Sequence, residues 1–284
     1  MKDILVILAL SLFSACHAGA QLRSDREKNN LSGAVRTVRI EKSPLLEKDF
    51  RHVAGPRESS EVTYDEKGNK TEEIKYRADD SLVSRSVFDY DPAGNLTAVT
   101  VYNADGSIYL KRVRKSIQVI GGRKIEESIL ASGTTFQAKT IYTCDNKDRV
   151  TELASFDANG KPGMRVVTIY GTNSKPTEIE SFNNSSRTGK VIFSYDAQGN
   201  QTGNAEYDAA GVRGSKNVFS GDLKRGSQIE MAEYDANDNL VNKERYVREF
   251  DFLGNWTKET KSKLDLQSGK FEPVEVTNRI ITYY

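Results

Sequence analysis

The chain has 284 residues, 37% of them hydrophobic, with 41 lysines and arginines set against 40 aspartates and glutamates. That length suits one large β domain or two average ones, and 13 tyrosines and 11 phenylalanines spread along it argue against disorder. A formal charge of +1 excludes both the basic field that nucleic acid requires and the acidic block of a cation buffer.

Residues 1–20 stand apart. Lys2 precedes the apolar run ILVILALSLF (4–13), and AGA (18–20) puts small residues at −3 and −1 of a cut before Gln21. This is the layout of a cleaved secretory signal, and its apolar run is too short for a permanent membrane span. Ser14 and Ala15 before Cys16 offer an alternative, a lipoprotein anchored through Cys16, although Phe13 stands where such a box carries Leu. Export to the periplasm or the extracellular space is the expectation, with no other apolar run long enough to cross a membrane as a helix. Cleavage after Ala20 leaves one cysteine, Cys144, and one histidine, His52.

Residues 21–63 read as leading strands and a connection. AVRTVRI (34–40) and SSEVTY (59–64) have strand composition, and SPLLEKDFRHVAGPRE (43–58) between them reads as an irregular link carrying His52.

From Tyr64 to the end at 284 a turn motif recurs. It is clearest in YDEKGN (64–69), YDPAGN (90–95), YDAQGN (195–200) and FDFLGN (250–255), and weaker in IQVIGG (117–122), YTCDNK (142–147), YGTNSK (170–175) and FSGDLK (219–224). A second series falls between them: YRADDS (76–81), YNADGS (102–107), ILASGT (129–134), FDANGK (156–161), FNNSSR (182–187), YDAAGV (207–212) and YDANDN (234–239). The period is therefore about 13 residues, doubled to about 26. Asp65, Asp91, Asp196 and Asp251 open their turns, where a carboxylate can accept a backbone N–H two residues on. Gly68, Gly94, Gly106, Gly160, Gly199, Gly211 and Gly254 sit where the chain needs a positive φ to re-enter a strand. A type I turn followed by a left-handed Gly is a hairpin connection with a bulge, and Pro92 suits its second position.

The stretches between turns, such as SRSVFDY (84–90), TAVTVY (97–102), MRVVTIY (164–170) and EVTNRIITYY (275–284), are rich in β-branched and aromatic residues. The expectation is an all-β fold, a repetitive antiparallel β-meander of about eight two-strand units. Some seventeen strands at about 4.8 Å would make a flat sheet near 80 Å wide, which twisted sheets do not sustain. The sheet is thus expected to curl or spiral as an extended array. Aromatics before each turn are expected on the concave or packed side, with Glu72, Glu73, Arg112 and Lys261 mostly on a solvated face.

The pattern YDxxGNxTxxxxYxxDG resembles the YD repeat, also called the Rhs repeat, of bacterial surface and secreted proteins. The resemblance covers roughly residues 60–260 and is most specific at Tyr64–Asn69, Tyr90–Gly106, Tyr195–Gly211 and Phe250–Asn255. It implies extended antiparallel β-sheet and export, with polymorphic toxin shells and teneurin-like adhesion proteins as large relatives, some of them associated with carbohydrate or surface binding. Toxin members continue into a variable C-terminal effector, whereas here VEVTNRIITYY (274–284) comes last, so a short stand-alone secreted array is expected.

Catalytic constellations are sparse. A serine triad or Cys–His pair needs a histidine base, and His52 lies in the connection, where an exposed loop histidine is the simpler reading. Cys144 lies in a degraded turn and reads as a half-buried structural thiol. Zinc lacks ligands. Asp65, Asp91, Asp196, Asp208 and Asp251 fall one per turn at alternating ends of a sheet, which favours turn hydrogen bonding over a calcium loop. No metal or cofactor is expected. The GNxT stretches at 68–71, 94–97, 199–202 and 254–257 read as turn chemistry rather than as glycosylation sites. Trp256, the one tryptophan, is a ligand-binding candidate because a flat ring suits a sugar face, or else it covers the open end of the sheet. The expected function is a non-catalytic binding or structural module of the cell envelope, engaging a glycan or protein surface. An envelope hydrolase using a carboxylate pair and a subunit joined through an exposed edge strand are the alternatives.

Overall fold

A computed structural model of the chain describes residues 24–48, 51–119, 122–221 and 226–284. The signal sequence at 1–20, with Cys16, lies outside the described residues.

One short helix, α1 (Asp25–Lys28), precedes nineteen strands: β1 (Val35–Lys48), β2 (Arg51–Ala54), β3 (Glu58–Tyr64), β4 (Lys70–Tyr76), β5 (Leu82–Tyr90), β6 (Leu96–Asn103) and β7 (Ile108–Val119) come first. Then follow β8 (Gly122–Ala131), β9 (Thr135–Asp145), β10 (Val150–Asp157), β11 (Pro162–Tyr170), β12 (Pro176–Asn183) and β13 (Ser186–Tyr195). The last are β14 (Gln201–Asp208), β15 (Arg213–Ser220), β16 (Gln228–Tyr234), β17 (Leu240–Phe250), β18 (Trp256–Leu264) and β19 (Phe271–Tyr283). From β3 onward each strand pairs antiparallel with the next, as a meander built on hairpin turns must.

The meander then closes. β1 pairs with β3 on one side and with β19 on the other, so that Val38 stands between Val62 and Ile281. Eighteen strands form a ring, and β2 lies outside it, pairing with the far end of β1 from Leu45↔Ala54 to Lys48↔Arg51. This corrects the expected curled or spiral extended sheet: the fold is all-β, but it is a closed barrel. The physical reason is the edge. An open array leaves two rows of unpaired N–H and C=O groups, and pairing the first barrel strand with the last removes both. Eighteen strands at about 4.8 Å give a girth near 86 Å and a diameter of at least about 27 Å, wide enough to leave an aqueous interior.

The turns explain the register. Asp65 accepts the N–H of Asn69 at 2.8 Å and its side-chain amide at 3.0 Å, and the Asp91–Asn95 and Asp235–Asn239 pairs repeat the arrangement. Gly68, Gly94, Gly199 and Gly254 take φ near +80° to +85° at one rim, and Gly106, Gly160 and Gly211 do so at the other. A register shift accompanies these turns, for instance between Thr63 and Tyr64. That extra residue reverses the in–out alternation, which lets Lys70 and Glu73, three apart, share a face and form an ion pair.

Burial identifies the inner face. Ile125, Tyr142, Leu153, Val166 and Ser181 form one cross-strand row from β8 to β12, and all except half-buried Tyr142 are buried. Concave curvature crowds such a row; a convex face would expose it. Apolar packing is divided between this patch and a second one of Leu31, Val35, Val38 and Tyr64, rather than gathered in one core.

The two turn series send their aromatics to opposite faces. Tyr90, Tyr170 and Tyr195 point inward, and each hydroxyl donates to the carbonyl just past the neighbouring turn, Lys70, Val150 and Pro176, at 2.7–2.8 Å. Tyr76, Tyr102, Phe156, Phe182, Tyr207 and Tyr234 point outward, each with a Lys or Arg over its ring. The expectation that all of them line the concave or packed side is corrected for the second series. The expected solvated charges do not share one face: Glu72 points outward, whereas Glu73, Arg112 and Lys261 fall in the inward set.

Local departures are two. The expected irregular link at 43–58 is largely the β1–β2 hairpin, with Leu46 and Val53 exposed. The expected turn at 117–122 is mostly strand, since the β7–β8 ladder continues to Val119↔Gly122.

Candidate functional site

The inner wall differs most from a plain β surface where β17, β18, β19 and β1 meet. The turn before Trp256 is pinned from within. Asn255, 1% exposed, accepts the Ser32 N–H at 2.7 Å and donates to the Ser32 carbonyl and to the Tyr283 hydroxyl, both at 2.9 Å. The stretch that delivers Ser32 is itself anchored on inward tyrosines. Ser24 and Glu27 form a capping box on α1, Asp25 accepts the Tyr90 hydroxyl at 2.7 Å, and Asn29 donates to the Tyr64 hydroxyl at 3.1 Å.

Trp256 opens β18 from this fixed turn. Arg279, opposite Ile40 of β1 and in the same alternate set as Ile281, lies over the indole at 3.6 Å from its centroid. Arg248 lies over the same ring at 5.6 Å, and its Nε donates to Glu259 at 2.7 Å. Arg279 has no such partner: it makes no hydrogen bond or ion pair among the described residues, and its Nε is buried. Burial, with the nearby Arg248 charge adding to it, pulls the Arg279 guanidinium down to about 10. It stays charged at neutral pH.

Several other inward charges are paired. Lys261 bridges to Glu244 at 2.8 Å, and Tyr246 donates to the same carboxylate. Burial alone would raise the Glu244 carboxyl, but the Lys261 and Tyr246 donors outweigh it and hold the group below its usual range. Arg114 pairs with Glu127 in the same way. Asp25, Glu73 and Asp251 are likewise held below the usual carboxylate range by the donors around them, the opposite of what a glycosidase acid needs.

Trp256 is thus half-buried, with one ring face covered by Arg279 rather than open to a sugar. It covers no open end, because the sheet has none there. The turn residues Asp65, Asp91, Asp196 and Asp251 stay in their separate turns, each accepting local N–H groups, and no metal-holding cluster occurs among the described residues. His52 lies on β2 with Nε2 3.7 Å from Glu272, and Cys144 is buried at 2% exposure in the β8–β12 patch. An open depression of about 400 Å³ lies at the rim, lined by Ser32, Ser227, Phe250, Leu253 and Gly254. Arg279 was missed from sequence; its one signal is a charge in the alternate set of Ile281 and Tyr283.

No family model matches the chain, and no curated protein matches it either. The YD-repeat resemblance therefore remains one of motif. Among solved structures, the chain is similar to a porin-like protein from Bacteroides uniformis, with 11% identity, a TM-score of 0.45, and coverage of 86% of this chain and 96% of that one. It is also similar to TcdB2-TccC3-Cdc42 (10% identity, TM-score 0.34) and to TcdB2-TccC3 (7% identity, TM-score 0.27). It covers 82% and 75% of itself in those two comparisons, and spans 15% of each of those chains.

Proposed function

We propose that the protein is an exported, non-catalytic barrel of the cell envelope that stands in water and holds its ligand against the inner wall. The observation that carries this reading is the distribution of charge: ion pairs line both faces of a closed ring. Outward, Arg85–Glu72, Arg165–Glu152, Lys190–Glu178 and Arg245–Glu230 sit within the strands, where a lipid-embedded barrel would present an apolar band. Each outward Lys or Arg would cost about 2–4 kcal/mol at a bilayer midplane, so lipid is the wrong solvent for this surface. No helix among the described residues is long and apolar enough to cross a membrane. Inward, the paired side chains and tyrosine hydroxyls offer a polar ligand many partners. An envelope glycan or an envelope protein segment is the ligand class this favours.

The test is retention. Purified protein is incubated with the polysaccharide and protein fractions of the source envelope, and bound material is measured. Retention by one fraction, with the protein itself released from membranes without detergent, supports the reading. Loss of both, or release only by detergent, contradicts it.

A further inference from the structure

We infer that the Arg279–Trp256–Arg248 wall is a binding site for an oxyanion, a carboxylate or a phosphate, presented by the ligand of the barrel. This deepens the binding-barrel reading and rests on it. Two guanidinium groups lie over one indole, at 3.6 and 5.6 Å from its centroid, and Glu259 is bonded to Arg248 at 2.7 Å rather than to Arg279. One positive charge is left without a bonded carboxylate at this ring among the described residues. Arg279 carries it with a buried Nε that no atom accepts from, whereas the inward cations Lys70, Arg114 and Lys261 each have a carboxylate partner.

An uncompensated, half-buried cation is a liability for folding unless something supplies the missing anion. Contact with Trp256 at 3.6 Å holds the guanidinium in place, and its two terminal nitrogens, which bond no protein atom among the described residues, are what a ligand would meet. A planar fork held in one orientation matches a two-oxygen acceptor, which selects carboxylate or phosphate over a neutral hydroxyl. The pinned Asn255 turn holds the indole in place before any ligand arrives.

The site carries its own reporter, because Trp256 is the one tryptophan in the chain. Purified protein is titrated with inorganic phosphate, galacturonate and glucose while tryptophan emission is followed. The inference expects a saturable change with phosphate or galacturonate, none with glucose, and a response in Lys258→Gln, on the outer face, equal to wild type. Whichever anion titrates identifies the group. In Arg279→Gln the response should fall at least tenfold in affinity. Arg279→Met, which removes the unpaired charge, should also lose the response while melting no lower than wild type.

If neither anion changes the emission of folded wild-type protein, the inference is overturned. Should envelope retention persist in that case, the binding-barrel reading survives without it. If Arg279→Met melts several degrees lower and still titrates like wild type, Arg279 is a structural stack and the inference likewise fails.

Discussion

Gly211 shows how much a single rim position decides. It takes φ +84° with nothing within 4 Å of where a Cβ would sit, so a substitution meets backbone strain and no clash. Gly211→Ala should therefore destabilise by about 1–2 kcal/mol, read from urea unfolding, and Gly211→Asn by less. The titrating residues set the pH range. Burial raises the Tyr170 hydroxyl to about 12 from 10.0, and Tyr90, next to Asp25, is raised as well. Unfolded tyrosine loses its proton near 10 while the folded residues keep theirs, so this stability is intact below pH 10 and is lost as pH rises through 12. The carboxyls run the other way. Asp25 and Glu73 titrate below their ordinary 3.8 and 4.5, despite burial that opposes this, because Tyr90 and Lys70 donate to them. Their contribution is present above those values and is lost as pH falls through the lower folded ones. Thermal scans should show a plateau from about pH 5 to about pH 9 with a fall on both sides. A maximum confined to mildly acidic pH would contradict this assignment.

Strand and turn together make the element, and the 13-residue period is its length. Residues 13 apart meet across neighbouring strands: Glu72 with Arg85, Arg114 with Glu127, Glu152 with Arg165, and Asn204 with Asn217 all bond directly. Turns, period and strand composition were legible because Asp, Gly and the β-branched runs act locally. Which face each aromatic takes was not. The bulged residue at a turn flips the alternation, so Tyr90 points inward and Tyr102, at the next turn, outward, although both precede near-identical motifs. The site was legible only in Trp256; Arg279 in TNRIITYY looks like any strand arginine until the β18–β19 pairing, with its register shift, sets it on the same face as Trp256. The inward tyrosines have a further consequence. Tyr90→Phe removes the single O–H that lies between Asp25 and the Lys70 carbonyl, leaving a half-buried carboxylate short of a partner. It should destabilise by about 1–3 kcal/mol, with Tyr102→Phe, on the outer face, close to neutral by the same unfolding assay.

At the scale of the whole molecule, closure decides the rest. It separates an inner wall from an outer one and removes both edges of the ring, so that β19 is paired on both sides and offers no free edge. Nothing local in the sequence encodes it. A spiral and a barrel use the same strands, turns and alternation, and they differ only in whether β1 finds β19 some 245 positions away. The two patches of apolar packing, rather than one core, fit a shell whose stability rests on its ladder of strands. Removing 271–284 should therefore expose two edges at once and yield aggregate rather than a shorter soluble barrel, as gel filtration would show.

The most direct test is a cross-link over the seam. Thr37 and Thr282 face each other on the outer surface with their hydroxyl oxygens 2.6 Å apart. In the double variant Thr37→Cys/Thr282→Cys, mild oxidation of the folded protein followed by peptide mass mapping should give one intramolecular 37–282 disulfide in most molecules, with the native melting temperature or higher. An open or spiral sheet holds its ends too far apart for that bond. Free thiols at both positions, or disulfides formed only between molecules, would contradict the closed barrel.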